Sequence, residues 1–144
     1  MRTVLLILVV SIPSVLFAQL GGEEAVETVL DDQVAAWNNG DIEGYMRGYW
    51  NSDETIFVSG GTVVHGYNRV LSRYRKNYDS LEKMGRLSFD ELQIRMMSPT
   101  TAVATGKWEL KRSSDNPGGR FTLLLEMKPE GWRIVYDHTS SGSE

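Results

Sequence analysis

From Glu23 to Asn39 apolar side chains recur every three to four residues, at Val26, Val29, Leu30, Val34 and Trp37, with Gln33 in the same stripe. This spacing predicts one helix with an apolar face and a polar back carrying Glu27, Asp31 and Asp32. Asn38-Asn39-Gly40 ends it, because both residue types tolerate the left-handed turn of a helix exit. Asp41 then reads as the N-cap of a short second helix that places Tyr45, Met46, Tyr49 and Trp50 around one side. Gly44 and Gly48 weaken that helix, so its stability must come from packing. Thr55 to Ser59 and Thr62 to His65 form a short hairpin about Gly60-Gly61. A third helix is predicted over Tyr67 to Leu81, with Val70, Leu71, Tyr74 and Tyr78 on one face. Arg69, Arg73, Arg75 and Lys76 lie mainly on the other faces, as solvated residues do.

Four strands follow, Arg86 to Met97, Thr101 to Arg112, Arg120 to Lys128, and Trp132 to Thr139. Ser98-Pro99, Ser113 to Gly119, and Pro129-Glu130-Gly131 are the turns between them. The element order is ααββαββββ, an α+β architecture in which helices cover one face of an antiparallel meander. Alternation assigns Phe121, Leu123, Leu125 and Met127 inward, and likewise Ala102, Ala104, Gly106, Trp108 and Leu110. In the last strand it puts Trp132, Ile134, Tyr136 and His138 on the core side and Arg133, Val135, Asp137 and Thr139 on the other. Glu109 and Asp90 read as outer-face residues. Gly106 in mid-strand invites a bend that would curve the sheet around a cavity.

The start of the chain has another character. Arg2 precedes an unbroken apolar run from Val4 to Val10, extended through Ile12 to Phe17, and small Ala18 precedes a polar stretch. That is the layout of a secretory signal peptide over residues 1–18, with residues 19–144 as a single exported domain, periplasmic or secreted. The run is short for a membrane span and contains Pro13, which disfavours an uncleaved anchor. At 144 residues the chain is long enough for one cored domain. It has no cysteine, which removes disulfides and thiolate chemistry. The formal charge is -4, from 15 basic and 19 acidic residues, and no basic run follows a phosphate backbone, so nucleic acid is not an expected partner.

Three segments carry a resemblance. Trp37-Asn38-Asn39-Gly40-Asp41 resembles the W-x-x-G-D step between helices in SnoaL-like members of the nuclear transport factor 2-like superfamily. His65-Gly66 is similar to their strand-to-helix junction, and Gly131 to Ser140 resembles their final strand, W-x-I-V-x-x-H-x-S. The ending is also similar to that of the calcium/calmodulin-dependent protein kinase II association domain. The resemblance spans residues 23–140 and implies a cone-shaped, curved sheet closed by helices, a pocket between them, and a homodimer. It implies no one activity, since relatives include ketosteroid isomerases, polyketide cyclases and assembly modules.

For chemistry, His138 is the first acid–base candidate, because imidazole titrates near neutral pH. A buried, hydrogen-bonded histidine is the plain alternative. Asp137 is the second candidate, although alternation sends it to the opposite face unless a bulge intervenes. His65 is a candidate for the cavity rim. Two histidines without ligand spacing give no metal pattern, and no Gly-rich phosphate loop is present, so no cofactor is expected. Tyr49, Trp50, Tyr74, Tyr78, Trp108 and Tyr136 are candidate ligand contacts, offering flat apolar surface with hydroxyl handles. Trp37 and Trp132 read instead as core. Arg73 could reach a carboxylate ligand, although arginine is more often a surface residue. Three functions fit these residues. One is a pocket that binds a small apolar or amphipathic molecule. Another is an isomerase or lyase using His138, and the third is an oligomerisation module.

Overall fold

Helix α1 spans Ser14–Asn38 and buries Val26, Leu30, Gln33 and Trp37 along the stripe read from the sequence. The computed structural model describes residues 14–142, so residues 1–13 of the expected leader lie outside the described residues. Asp41 caps α2 (Ile42–Met46), its carboxylate accepting the Gly44 N–H at 2.7 Å. Strands β1 (Ile56–Ser59) and β2 (Thr62–His65) form the expected hairpin. Helix α3 covers Tyr67–Asn77 only. The expected run to Leu81 breaks at Tyr78, and Ser80 starts a separate turn, α4 (Leu81–Met84), by accepting the Lys83 N–H at 3.3 Å. A serine hydroxyl that can satisfy an orphan amide restarts the helix more readily than it continues one.

Strands β3 (Arg86–Ser98), β4 (Thr101–Lys111), β5 (Gly118–Lys128) and β6 (Gly131–Thr139) make the expected antiparallel meander. The sheet order is β2-β1-β6-β5-β4-β3, with β1 parallel to β6, so the hairpin closes a curved, mixed six-stranded sheet. The fold is α+β, with the helices lying on one face of that sheet. Ahead of the start of β1, the edge of β6 is taken up by the exit of α2. There Ile134 donates its N–H to the Gly48 carbonyl at 2.8 Å and accepts the Trp50 N–H at 2.9 Å. Among the described residues no helix is long and apolar enough to cross a membrane.

Gly118 and Gly119 lie within β5, paired with Glu109 and Trp108, and are not part of the turn as expected. The missing Cβ of Gly119 leaves room for the Ser140 carbonyl, so the segment after β6 can close onto β5. Curvature comes from bulges. Opposite Gly106, β3 carries two residues, Glu91 and Leu92, and Glu91 adopts a φ of 52°. A Cβ on Gly106 would stand 2.6 Å from the Phe121 ring and 3.1 Å from the Asp90 carbonyl. Gly106→Ala should therefore lower stability by about 1–3 kcal/mol, the usual penalty of overpacking, and urea unfolding will read it.

Candidate functional site

A cavity of about 300 Å³ lies between the sheet and the helices. Helix α3 supplies Arg73, Tyr74, Asn77 and Tyr78 at the spacing that puts side chains on one face. Helix α1 contributes Gln33 and Trp37, the α2 region Tyr45 and Tyr49, and the sheet a largely apolar wall that includes Leu87, Phe89, Trp108 and Phe121. Trp37 meets Tyr45, Tyr74 and Tyr78 edge-on, with ring centroids 5.1, 6.0 and 4.8 Å apart. Its indole N–H donates to the Met84 carbonyl at 3.0 Å. Trp37 is thus core and cavity wall together.

One carboxyl enters this aromatic shell. Asp137 is 4% exposed, and Tyr49 donates its hydroxyl hydrogen to Asp137 Oδ2 at 2.6 Å. The Tyr49 and Tyr74 hydroxyl oxygens are 3.3 Å apart, and those of Tyr45 and Tyr74 are 3.4 Å apart. Each hydroxyl has one hydrogen, so the direction of the chain is fixed from its acid end. Tyr49 spends its hydrogen on Asp137, Tyr74 then donates to Tyr49, and Tyr45 donates to Tyr74. Asp137 Oδ1 is buried with no hydrogen-bond partner among the described residues.

Electrostatics follow from burial. Desolvation pushes the Asp137 carboxyl up to about 7, with the Tyr49 hydrogen bond pulling the other way. Burial first, and the Asp137 charge second, hold the Tyr49 hydroxyl well above its ordinary range. Burial likewise raises Tyr45 and Tyr74. At neutral pH the three tyrosines are hydrogen donors, while Asp137 is divided between acid and base forms.

Asp137 reaches the inner face through a shift in register. Leu124 pairs with Tyr136 but Leu125 pairs with Ile134, so Val135 is an extra residue in β6. A single extra residue reverses the alternation beyond it. Asp137 consequently faces the same way as its partner Leu123, which is buried.

The same bulge turns Tyr136 and His138 outward, against the expectation from simple alternation. Tyr136 is 38% exposed, and exposed His138 pairs with exposed Thr122. His138 is therefore not at the cavity. His65 is exposed at the end of β2 and does not line it either. Trp50 is also outside, its ring covered by the Lys128 ammonium 3.7 Å from the centroid. Met127, expected inward, is exposed near the end of β5. Of the expected contacts, Tyr49, Tyr74, Tyr78 and Trp108 line the cavity. Sequence reasoning passed over Asn77 and Gln33. The i, i+3, i+4, i+7 spacing from Val70 was the signal for Asn77, and the apolar stripe of α1 was the signal for Gln33.

Tyr49→Phe would leave Asp137 Oδ2 without its donor. Above the Asp137 titration the loss should be about 1–3 kcal/mol, the cost of a buried acceptor left unpartnered. At pH 5 the carboxyl is neutral and the loss should shrink. Urea unfolding at pH 5 and pH 8 gives the comparison, and equal losses would show that the hydrogen bond does not depend on the charge.

Comparison with known proteins gives a consistent picture. Residues 26–143 match the model of a SnoaL-like domain. An NTF-2 like protein of unknown function from Shewanella oneidensis is 39% identical, with a TM-score of 0.79 over 82% of this chain and 98% of that one. A ketosteroid isomerase-like protein from Erwinia carotovora atroseptica is 17% identical, with a TM-score of 0.65 over 84% of this chain and 96% of that one. A Xanthomonas campestris protein named for the calcium/calmodulin dependent protein kinase II association domain is 15% identical, with a TM-score of 0.66 over 83% and 86% of the two chains. At these last identities the likeness is one of fold. No curated protein matches the chain.

Proposed function

The chain belongs to the SnoaL-like domain family, and from the carboxyl buried in its cavity wall we propose that it binds a small, largely apolar carbonyl compound and moves a proton on it with Asp137. The observation that carries this reading is Asp137 Oδ1, a buried oxygen on a cavity-lining residue with no hydrogen-bond partner among the described residues. A group that titrates near 7 is matched to proton transfer at neutral pH. Asp137 takes a proton from the carbon next to the carbonyl, and the C–H electron pair moves into an enolate. Asp137 then returns the proton to another carbon, giving an isomer, or a leaving group departs, giving an elimination. A lining hydroxyl or amide is the class of donor the enolate oxygen requires.

The test is deuterium exchange into 2-tetralone in heavy water, followed by NMR. Wild type should accelerate loss of the α-hydrogen signal, and Asp137→Asn should lower the catalysed rate by about 10²- to 10⁴-fold. Equal exchange by the two proteins would remove Asp137 from the chemistry. Binding without catalysis is the second reading, favoured because Asp137 and Arg73 are the only charged residues of the lining among the described residues. It predicts that 2-tetralone quenches tryptophan fluorescence and exchanges no faster than in buffer.

The leader-like composition of residues 1–18 supports export to the periplasm or the medium. The family resemblance supports a homodimer as the assembly, and we expect one by light scattering of the mature chain.

A further inference from the structure

Arg73 and Arg112 each hold a guanidinium over an aromatic ring beside the cavity, and the lining carboxylate, Asp137, makes no ion pair with either among the described residues. Arg73 is half-buried on α3 and lines the cavity, with its guanidinium carbon 5.7 Å from the centroid of the Phe57 ring. It has no ion pair or hydrogen bond among the described residues. Arg112, just after β4, lies 5.9 Å from the centroid of the Tyr78 ring. Its side chain is 21% exposed, its carboxylate neighbour Asp115 stands 3.7 Å away, and its Nε is buried without a hydrogen-bond partner among the described residues. Tyr78 lines the cavity within the field of both cations, which oppose the effect of its burial. Cations held over aromatic rings keep their N–H donors available for an anion.

We propose that the ligand of this cavity is an amphipathic carboxylate, its apolar body lying against the aromatic wall and its two oxygens meeting Arg73, with Arg112 and the Tyr78 hydroxyl beside it. This rests on the cavity-binding part of the function proposed above and adds the class of molecule. A guanidinium presents parallel N–H donors that match the two oxygens of a carboxylate, and a half-buried site strengthens the contact. Asp137 disfavours a second negative charge near its own end, so the charge of the ligand fixes its orientation. The apolar carbon framework is thereby directed toward Asp137.

The probes are 2-naphthylacetate and 2-naphthylacetamide, nearly equal in shape and different in charge. Their binding is read at pH 8 and low salt by calorimetry and by quenching of tryptophan fluorescence, since Trp37 and Trp108 line the cavity. The acid should bind at least about tenfold tighter than the amide, a margin in the range of a charge-assisted hydrogen bond. Arg73→Gln should erase the preference, and a cooperative urea unfolding transition shows that the variant is folded. Equal affinity of wild type for the two probes would overturn the carboxylate assignment and leave the cavity reading standing. Preference for the acid persisting in the Arg73→Gln, Arg112→Gln double variant would overturn it as well. Binding of neither probe would defeat the cavity reading and this inference together.

Discussion

Replacing Asp137 with asparagine should stabilise the protein at pH 8 and, on the function proposed above, remove proton exchange. Burial raises the Asp137 carboxyl from its ordinary value of 3.8 to about 7. Between those values the native protein keeps the proton that the unfolded chain has already released. The unfolded state binds fewer protons there, so the Asp137 contribution to stability falls as pH rises from about 4 and levels off above about 7. That rise of the carboxyl corresponds to roughly 4 kcal/mol. Asparagine keeps an oxygen for the Tyr49 hydroxyl and never ionises. Its advantage over wild type should be small at pH 4 and approach ~4 kcal/mol at pH 8. Paired urea titrations at the two values decide the matter, and a difference that does not change with pH would mean the carboxyl is solvated. A substitution that stabilises the fold and abolishes exchange is the behaviour expected where a site is held against the preference of its own residues.

Trp37→Ala should be the most destabilising single change at the cavity wall. The indole is 3% exposed, touches three tyrosine rings edge-on and donates to the Met84 carbonyl. Truncation removes that packing and leaves the carbonyl unpartnered, for a loss of about 3–5 kcal/mol. In a domain of this size the melting temperature should fall by about 10 °C or more. Trp37→Phe retains most of the ring contact and should lose less than half as much. A loss below about 1 kcal/mol for the alanine variant would show that the tyrosines close over the gap.

Most of the fold was legible because period carries it. The stripe of α1, the Asp41 cap and the alternation in β4 and β5 are local patterns, and each reappears in the structure at the expected residues, Met127 at the end of β5 excepted. The candidate site was harder to read because one residue decides it. Nothing in Ile134-Val135-Tyr136 marks Val135 as the extra position, since all three suit a strand. The bulge is set by what β6 must pair with on either side. Up to Ile134 its free edge meets the exit of α2, and from Tyr136 onward it meets β1. Those neighbours come from distant parts of the chain, so no window around Val135 contains the information. Reading straight through therefore brought His138 inward and left Asp137 outside. Aromatic side chains misled in a milder way. Tyr74 and Trp50 look alike in sequence, and only the packing of α3 on the sheet and of Lys128 on the indole separates wall from exterior.

The bulges of β3 have a consequence for the behaviour of this protein at high concentration. β3 is the long edge strand of the sheet, and an uninterrupted edge would offer its free N–H and C=O groups to a strand from another molecule. The irregularities between Asp90 and Gln93 and between Met96 and Ser98 break that row into short pieces. Arg86, Asp90, Glu91 and Arg95 add exposed charges along it. At the opposite edge β2 is only four residues long. Neither border can template a continuous ladder, so the geometry that curves the sheet around a cavity also guards the chain against strand-to-strand polymerisation.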